Sequence, residues 1–371
     1  MDETKETTTI RFSCACQRVT GSAEVPNSKL PLPFTLCHCN ICRHQTGLLC
    51  GSYVTLKEGT TDFKAEGPLT NYETSDIVTR CFCSHCGANV WLQYKREDRP
   101  NICSGALDKA DGIIKLKNHI FVSDTKDGGL STWIPDSDIA AWEGFSKENK
   151  QIDVAAMSIT QSTVEHTTEL YAHCQCKGIQ FKITRPNQAS KDLSSPWPDL
   201  VKPYHSESPE NKEDVKWWLR ANDTKYLAGS CACKSCRLAS GFDIQSWAFV
   251  PKANILQLDG KPLDFGMGSL EQYGTAEGVH RSFCGKCGAT VFWHCDERPD
   301  LVDVSVGLLD AAEGARAGSW LEWWTDRVSF EEAAQNKDLI SRLGAGLTRW
   351  GNVEGTSSAN GHNPLRPNTE G

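Results

Sequence analysis

Cys37-His38-Cys39-Asn40-Ile41-Cys42 packs three thiols into six residues, and the spacing returns at Cys231-Ala232-Cys233-Lys234-Ser235-Cys236. Thiolates so placed can close around one tetrahedral cation from a single bent loop. Three protein ligands leave a fourth position free for water or substrate.

The chain holds 18 cysteines in 371 residues, and their role depends on compartment. The start, Met1-Asp2-Glu3-Thr4-Lys5, is polar and acidic, no apolar signal core follows, and no run approaches the length of a membrane span. An intracellular location is expected, cytoplasmic with the nucleus as alternative. Clustered cysteines in a reducing compartment are more often metal ligands than disulfides, and Cys-x-Cys and Cys-x-x-Cys give poor geometry for ordinary structural disulfides. With 39 basic and 47 acidic residues the net charge is −8, so a broad nucleic-acid surface is not expected.

Short β-branched and aromatic runs, such as Thr9-Ile10-Arg11-Phe12, Tyr53-Val54-Thr55-Leu56 and Ile77-Val78-Thr79-Arg80-Cys81-Phe82, predict a mainly β chain of short antiparallel strands. The pattern then restarts. Cys14-Ala15-Cys16 is answered by Cys174-Gln175-Cys176, and Phe82-Cys83-Ser84-His85-Cys86-Gly87 by Phe283-Cys284-Gly285-Lys286-Cys287-Gly288. Gly105-Ala106-Leu107-Asp108 is answered by Gly307-Leu308-Leu309-Asp310. A tandem duplication follows. The predicted layout is a disordered tail over 1–8, a first domain over 9–145, a linker over 146–167, a second domain over 168–335 and a disordered tail over 344–371. The second domain carries an insertion at about 186–222, containing Trp197, Trp217 and Trp218. It reads as a surface loop or as a lid over a site.

Superposing the halves separates ligands from core. Cys14, Cys16, Cys37, Cys39, Cys42, Cys83 and Cys86 match Cys174, Cys176, Cys231, Cys233, Cys236, Cys284 and Cys287. Cys50, Cys81, Cys103 and Cys295 have no cysteine opposite and read as small core residues. Seven thiols divide as four plus three. Cys-x-Cys with the distant Cys-x-x-Cys makes a closed structural site: Cys14, Cys16, Cys83 and Cys86, and then Cys174, Cys176, Cys284 and Cys287. The central clusters keep three ligands each. Zinc is the default ion, two per domain, and a three-thiolate zinc favours exchange of a soft thiolate over hydrolysis. Arg43 and Arg237 directly follow the third cysteine and are candidates to neutralise that charge or hold a substrate carboxylate.

These elements, with His119-Ile120-Phe121-Val122-Ser123-Asp124 in the first half, resemble the glutathione-dependent formaldehyde-activating enzyme and centromere protein V family. The resemblance covers about residues 10 to 145 and 168 to 335. It implies a zinc-bearing β-tent in each half, with the four-cysteine zinc structural and the three-cysteine zinc catalytic. It further implies a carbon-sulfur lyase that joins glutathione to formaldehyde, or takes S-hydroxymethylglutathione apart. Cys37, Cys39 and Cys42 would form one catalytic site, and Cys231, Cys233 and Cys236 the other. Glutathione, or another thiol adduct of a small electrophile, would be the partner. His119 falls opposite Leu321 when the sequences are aligned, so the second half lacks that histidine and its pocket is expected to accept something bulkier or nothing. The rival reading is a non-catalytic zinc scaffold that binds protein partners.

Overall fold

Gly, Pro, Asn and Asp break the chain into short strands, and in each half these assemble into one large sheet and one small one. A computed structural model describes residues 6–354, apart from 57, 136–137, 147, 155–156, 158–166 and 205–209. The first large sheet runs, in spatial order, Gln151–Ile152, Ala140–Trp142, Ile114–Ile120, Leu32–Cys37, Gly51–Thr55, Arg99–Cys103, Asn89–Tyr94, Val78–Cys83 and Leu69–Ser75. The second runs Leu219–Arg220, Lys225–Cys231, Gln245–Pro251, Leu301–Ser305, Thr290–Cys295, Val279–Cys284 and Leu270–Ala276. Three-stranded sheets complete the halves: Thr7–Ser13, Thr20–Pro26 and Thr61–Glu66, then Glu169–His173, Gln180–Thr184 and Ile255–Gln257. The chain is mainly β, in two repeated segments. Ile114–Ile120 and Leu321–Trp323 depart from the antiparallel expectation and run parallel to their neighbours.

Each three-cysteine cluster ends a strand and starts a short helix, α1 over Asn40–Thr46 and α2 over Lys234–Ser240. The middle cysteine caps the helix: Cys39 Sγ accepts from the Cys42 amide, and Cys233 Sγ from the Cys236 amide. Gly47 and Gly241 close the helices at φ +79° and +85°, a left-handed conformation that suits glycine.

The two helices lock the halves together. The Gly307 amide donates to Gly47 at 2.9 Å, and the Gly105 amide to Gly241 at 3.0 Å. Gln45 Nε2 donates to the Cys287 carbonyl, and Asn89 Nδ2 to the Ser240 carbonyl. The repeated Gly-x-Leu-Asp turn is thus the socket for the opposite helix. Its glycine is required because a Cβ on Gly105 would lie 2.5 Å from Phe242 backbone atoms, and one on Gly307 would lie 2.1 Å from the Leu48 carbonyl.

Four expectations need correction. The region from 344 is not a disordered tail at its start: α3, Lys337–Glu354, buries Leu339, Ile340, Leu343 and Leu347. Its glycines give close approach rather than flexibility, since a Cβ on Gly346 would sit 1.5 Å from the Trp133 carbonyl oxygen. Residues 355–371 lie outside the described residues. At the other end the first strand already begins at Thr7, inside the expected tail, while 1–5 lie outside the described residues. The expected linker contributes Gln151–Ile152 to the large sheet, and 155–156 and 158–166 lie outside the described residues. The insertion is built into the second half. Trp217 and Trp218 are fully buried, and their indole N–H groups donate to the Pro196 and Ser190 carbonyls. Leu219–Arg220 forms the edge strand of the sheet.

Candidate metal centres

The loops bring fourteen thiols into four groups: Cys14, Cys16, Cys83 and Cys86; Cys174, Cys176, Cys284 and Cys287; Cys37, Cys39 and Cys42; and Cys231, Cys233 and Cys236. Within each group all sulfurs lie within 4.8 Å of one another. Cys50, Cys81, Cys103 and Cys295 are buried and belong to none of them. Four ligands at a zinc–sulfur distance of about 2.3 Å around a tetrahedron stand roughly 3.8 Å apart. Sulfur separations of 3.4 Å for Cys14–Cys16, 3.7 Å for Cys16–Cys83, 3.6 Å for Cys37–Cys39 and 3.5 Å for Cys176–Cys284 approach that edge. The donor set fits a thiophilic ion such as zinc.

Backbone N–H groups support the charged form of these sulfurs. Val19 donates to Cys14 Sγ at 3.3 Å, Ile179 to Cys174 at 3.4 Å and Gly178 to Cys176 at 3.4 Å. The left-handed residue of each Cys-x-Cys turn is Gln17 or Lys177, at φ +61° and +55°. The glycine at 178 is therefore not what turns the chain, and its absence from the first half leaves that turn intact.

The three-cysteine groups have a partner that the sequence reading passed over. Arg80 Nη2 donates to Cys42 Sγ at 3.1 Å, and Arg281 Nη2 to Cys236 Sγ at 3.3 Å. Both arginines are about 5% exposed. The Cys42 thiol is held well below its ordinary pKa, first by hydrogen bonds from Cys37 and Cys39 and then by Arg80; Cys236 repeats the pattern with Cys231, Cys233 and Arg281. Three thiolates on a divalent ion would carry one excess negative charge, and each arginine would supply the matching positive charge. The signal was present in the repeat: an arginine stands two residues before the Phe-Cys pair in both halves.

Arg43 and Arg237 face the junction between halves. Arg237 Nη1 donates to the Gly105 and Leu107 carbonyls, the latter at 3.1 Å, which accounts for it by packing. Arg43 Nη2 donates to Asn40 Oδ1 at 3.1 Å, while its Nε and Nη1 are buried and meet no acceptor among the described residues.

The surroundings of the two groups differ. In the first half Arg80 also donates to the Tyr53 hydroxyl. His38 lies 2.9 Å from His119, Nε2 to Nδ1, and His119 Nε2 lies 3.3 Å from the Ile134 carbonyl. The carbonyl only accepts, so His119 carries its proton on Nε2 and receives one at Nδ1 from His38. Ala232 replaces His38 in the second half. Strand pairing corrects the alignment of the other histidine: His38 N donates to Ile120 O, and Ala232 N to Ser329 O, so His119 corresponds to buried Val328 rather than Leu321.

No described helix is long and apolar enough to cross a membrane. Duplicated β tents with paired cysteine groups, each able to hold a metal ion, define a tandem cysteine-cluster protein of the metal-binding class. A family model described as glutathione-dependent formaldehyde-activating enzyme matches residues 9–124 and 215–327. The chain belongs to that family, in two tandem copies. Cys174 and Cys176 lie outside the second matched segment, yet they join Cys284 and Cys287. No curated protein matches the chain.

Proposed function

We propose that the chain is a zinc-dependent carbon-sulfur lyase acting on adducts of glutathione, or another thiol, with formaldehyde or a similar small electrophile. One observation carries the reading: each three-cysteine group gathers three sulfurs and a buried arginine, with no fourth histidine, cysteine or carboxylate in the group among the described residues. Zinc held there by Cys37, Cys39 and Cys42, or by Cys231, Cys233 and Cys236, would supply a soft Lewis-acidic position for a thiolate. The four-cysteine groups are assigned a structural role.

In the condensation direction, a C–S bond forms at the aldehyde carbon and the carbonyl π pair moves to oxygen, which must take a proton. Tyr53 is the proton donor assigned in the first half. Its oxygen accepts from Arg80, its own proton meets no acceptor among the described residues, and burial raises its pKa well above the ordinary value. It is therefore protonated and oriented. Arg43, with two unsatisfied N–H groups, is the better of the two arginine candidates for a substrate carboxylate.

The test is zinc-edge X-ray absorption on protein purified without chelator, titrated with glutathione. About four zinc ions per chain, with part of the zinc gaining a sulfur ligand as glutathione is added, is the expected result. Zinc bound by four sulfurs throughout and indifferent to glutathione would overturn the lyase and leave the scaffold reading.

A further inference from the structure

The two three-cysteine centres sit over equivalent faces of their large sheets, and side chains directly opposite on neighbouring strands share a face. In the first half Arg80 pairs with Leu92, Leu92 with Asn101, and Tyr53 with Cys103. In the second, Arg281 pairs with Trp293, Trp293 with Asp303, and Trp247 with Ser305. The arginine is unchanged. Around it Tyr53 has become Trp247 and Leu92 has become Trp293. The second cysteine cluster is accordingly packed by buried Trp247 and by half-buried Trp293 and Phe330.

Phe330 is held in place by the insertion. It adopts φ +53°, unusual for a bulky residue, and its amide donates to Asp199 Oδ2 at 2.9 Å. Ser329 Oγ and Arg327 Nη2 donate to the same oxygen. Tyr204, 66% exposed, brings its ring to 6.3 Å from that of Phe330. The first half has the same left-handed corner at Phe121, φ +56°, but secures it with the Gly144 carbonyl and Phe145. The insertion thus builds a separate wall for the second centre.

We propose that the second centre takes thiols, or their adducts, carrying an aromatic or large apolar group, seated against Trp293 and Phe330 with the sulfur toward Cys231, Cys233 and Cys236. The first centre, walled by Tyr53 and Leu92, takes small polar groups such as hydroxymethyl. The inference rests on the thiol-exchange reading above and adds a division of substrates between the halves. An aromatic pair contributes enough to expect about tenfold tighter binding from one well-formed stack.

The probes are benzyl mercaptan and 2-mercaptoethanol, titrated by calorimetry and by tryptophan fluorescence into the full zinc-loaded chain. Cys39→Ser silences the first centre and Cys233→Ser the second. Benzyl mercaptan should bind the Cys39→Ser chain at least about tenfold tighter than 2-mercaptoethanol, and the preference should vanish in Cys233→Ser. Trp293→Leu, which installs the first-half residue, should bring the two thiols close to parity without weakening 2-mercaptoethanol. Tyr204→Ala, a surface change that leaves the core untouched, should lower the preference severalfold should Trp293→Leu fail to fold. Equal affinity for both thiols, or a preference that survives Cys233→Ser, overturns the division of substrates and leaves the lyase reading standing. Failure of both thiols and of glutathione to bind overturns both.

Discussion

Gly47 accepts, at its carbonyl, a 2.9 Å hydrogen bond from the amide of Gly307 in the other half, and Gly241 and Gly105 repeat the bond with the halves exchanged. The last turn of each three-cysteine loop is therefore fastened by its neighbour. A Cβ on Gly47 would lie 2.0 Å from the Thr290 carbonyl oxygen, and φ is +79°. Gly47→Ala should cost about 3 kcal/mol or more, from the left-handed backbone and from overpacking against a carbonyl. Gly112→Ala, at φ +75° with nothing within 4 Å, should cost only about 1 kcal/mol. Calorimetric unfolding of the two variants checks the difference. Equal losses would place the cost in the backbone alone.

Arg80→Met removes the donor to Cys42 and leaves the four-cysteine group untouched. A charge-assisted bond of about 1.5–3 kcal/mol predicts roughly 10- to 100-fold weaker zinc at the first three-cysteine group. Competition with a chromophoric chelator should show one zinc released early. Four zinc ions released together, as in the parent, would remove Arg80 from its charge-balancing role.

Cys14→Ser and Cys83→Ser each open a four-sulfur group that ties the small sheet to the large one, and should unfold the first half. Cys39→Ser should abolish activity at that centre and keep the fold, because a serine oxygen can still cap α1. Circular dichroism and activity measured together separate the cases. The four-plus-three division fails if all three variants lose the fold equally.

Burial lowers the pKa of His119 to about 4. An unfolded histidine titrates near 6.5, so between those values the unfolded chain binds the proton and the folded chain does not. The contribution is present above pH 6.5 and is lost as the pH falls toward 4, by up to about 3 kcal/mol. His119→Gln should flatten the stability profile over that window relative to the parent, as followed by urea unfolding. Parallel profiles for the two proteins would mean that His119 does not titrate there.

Much of this architecture was legible in the cysteines, because paired ligands must converge and the duplication supplied an internal alignment. The same comparison held Arg80 and Arg281, but an arginine in a strand reads as a solvated residue until the strand pairing turns it toward a sulfur. Three glycines hid α3: Gly344, Gly346 and Gly351 imitate a loop, although Gly346 is demanded by the Trp133 carbonyl. His119 was misplaced against Leu321 because the second half reaches the equivalent strand position seven residues later, at Val328. The insertion holding Trp217 and Trp218 read as a surface loop or a lid because sequence alone cannot show that a long insertion returns to the sheet edge.

The exchange of bonds between Gly47–Gly307 and Gly105–Gly241 is the self-complementary contact expected of a two-fold dimer, here made within one polypeptide. Two identical subunits must carry every substitution twice, so neither centre can change without the other. Joined in one chain, each centre acquires its own mutational history: one copy can be rebuilt with tryptophan while the other keeps its tyrosine and histidines.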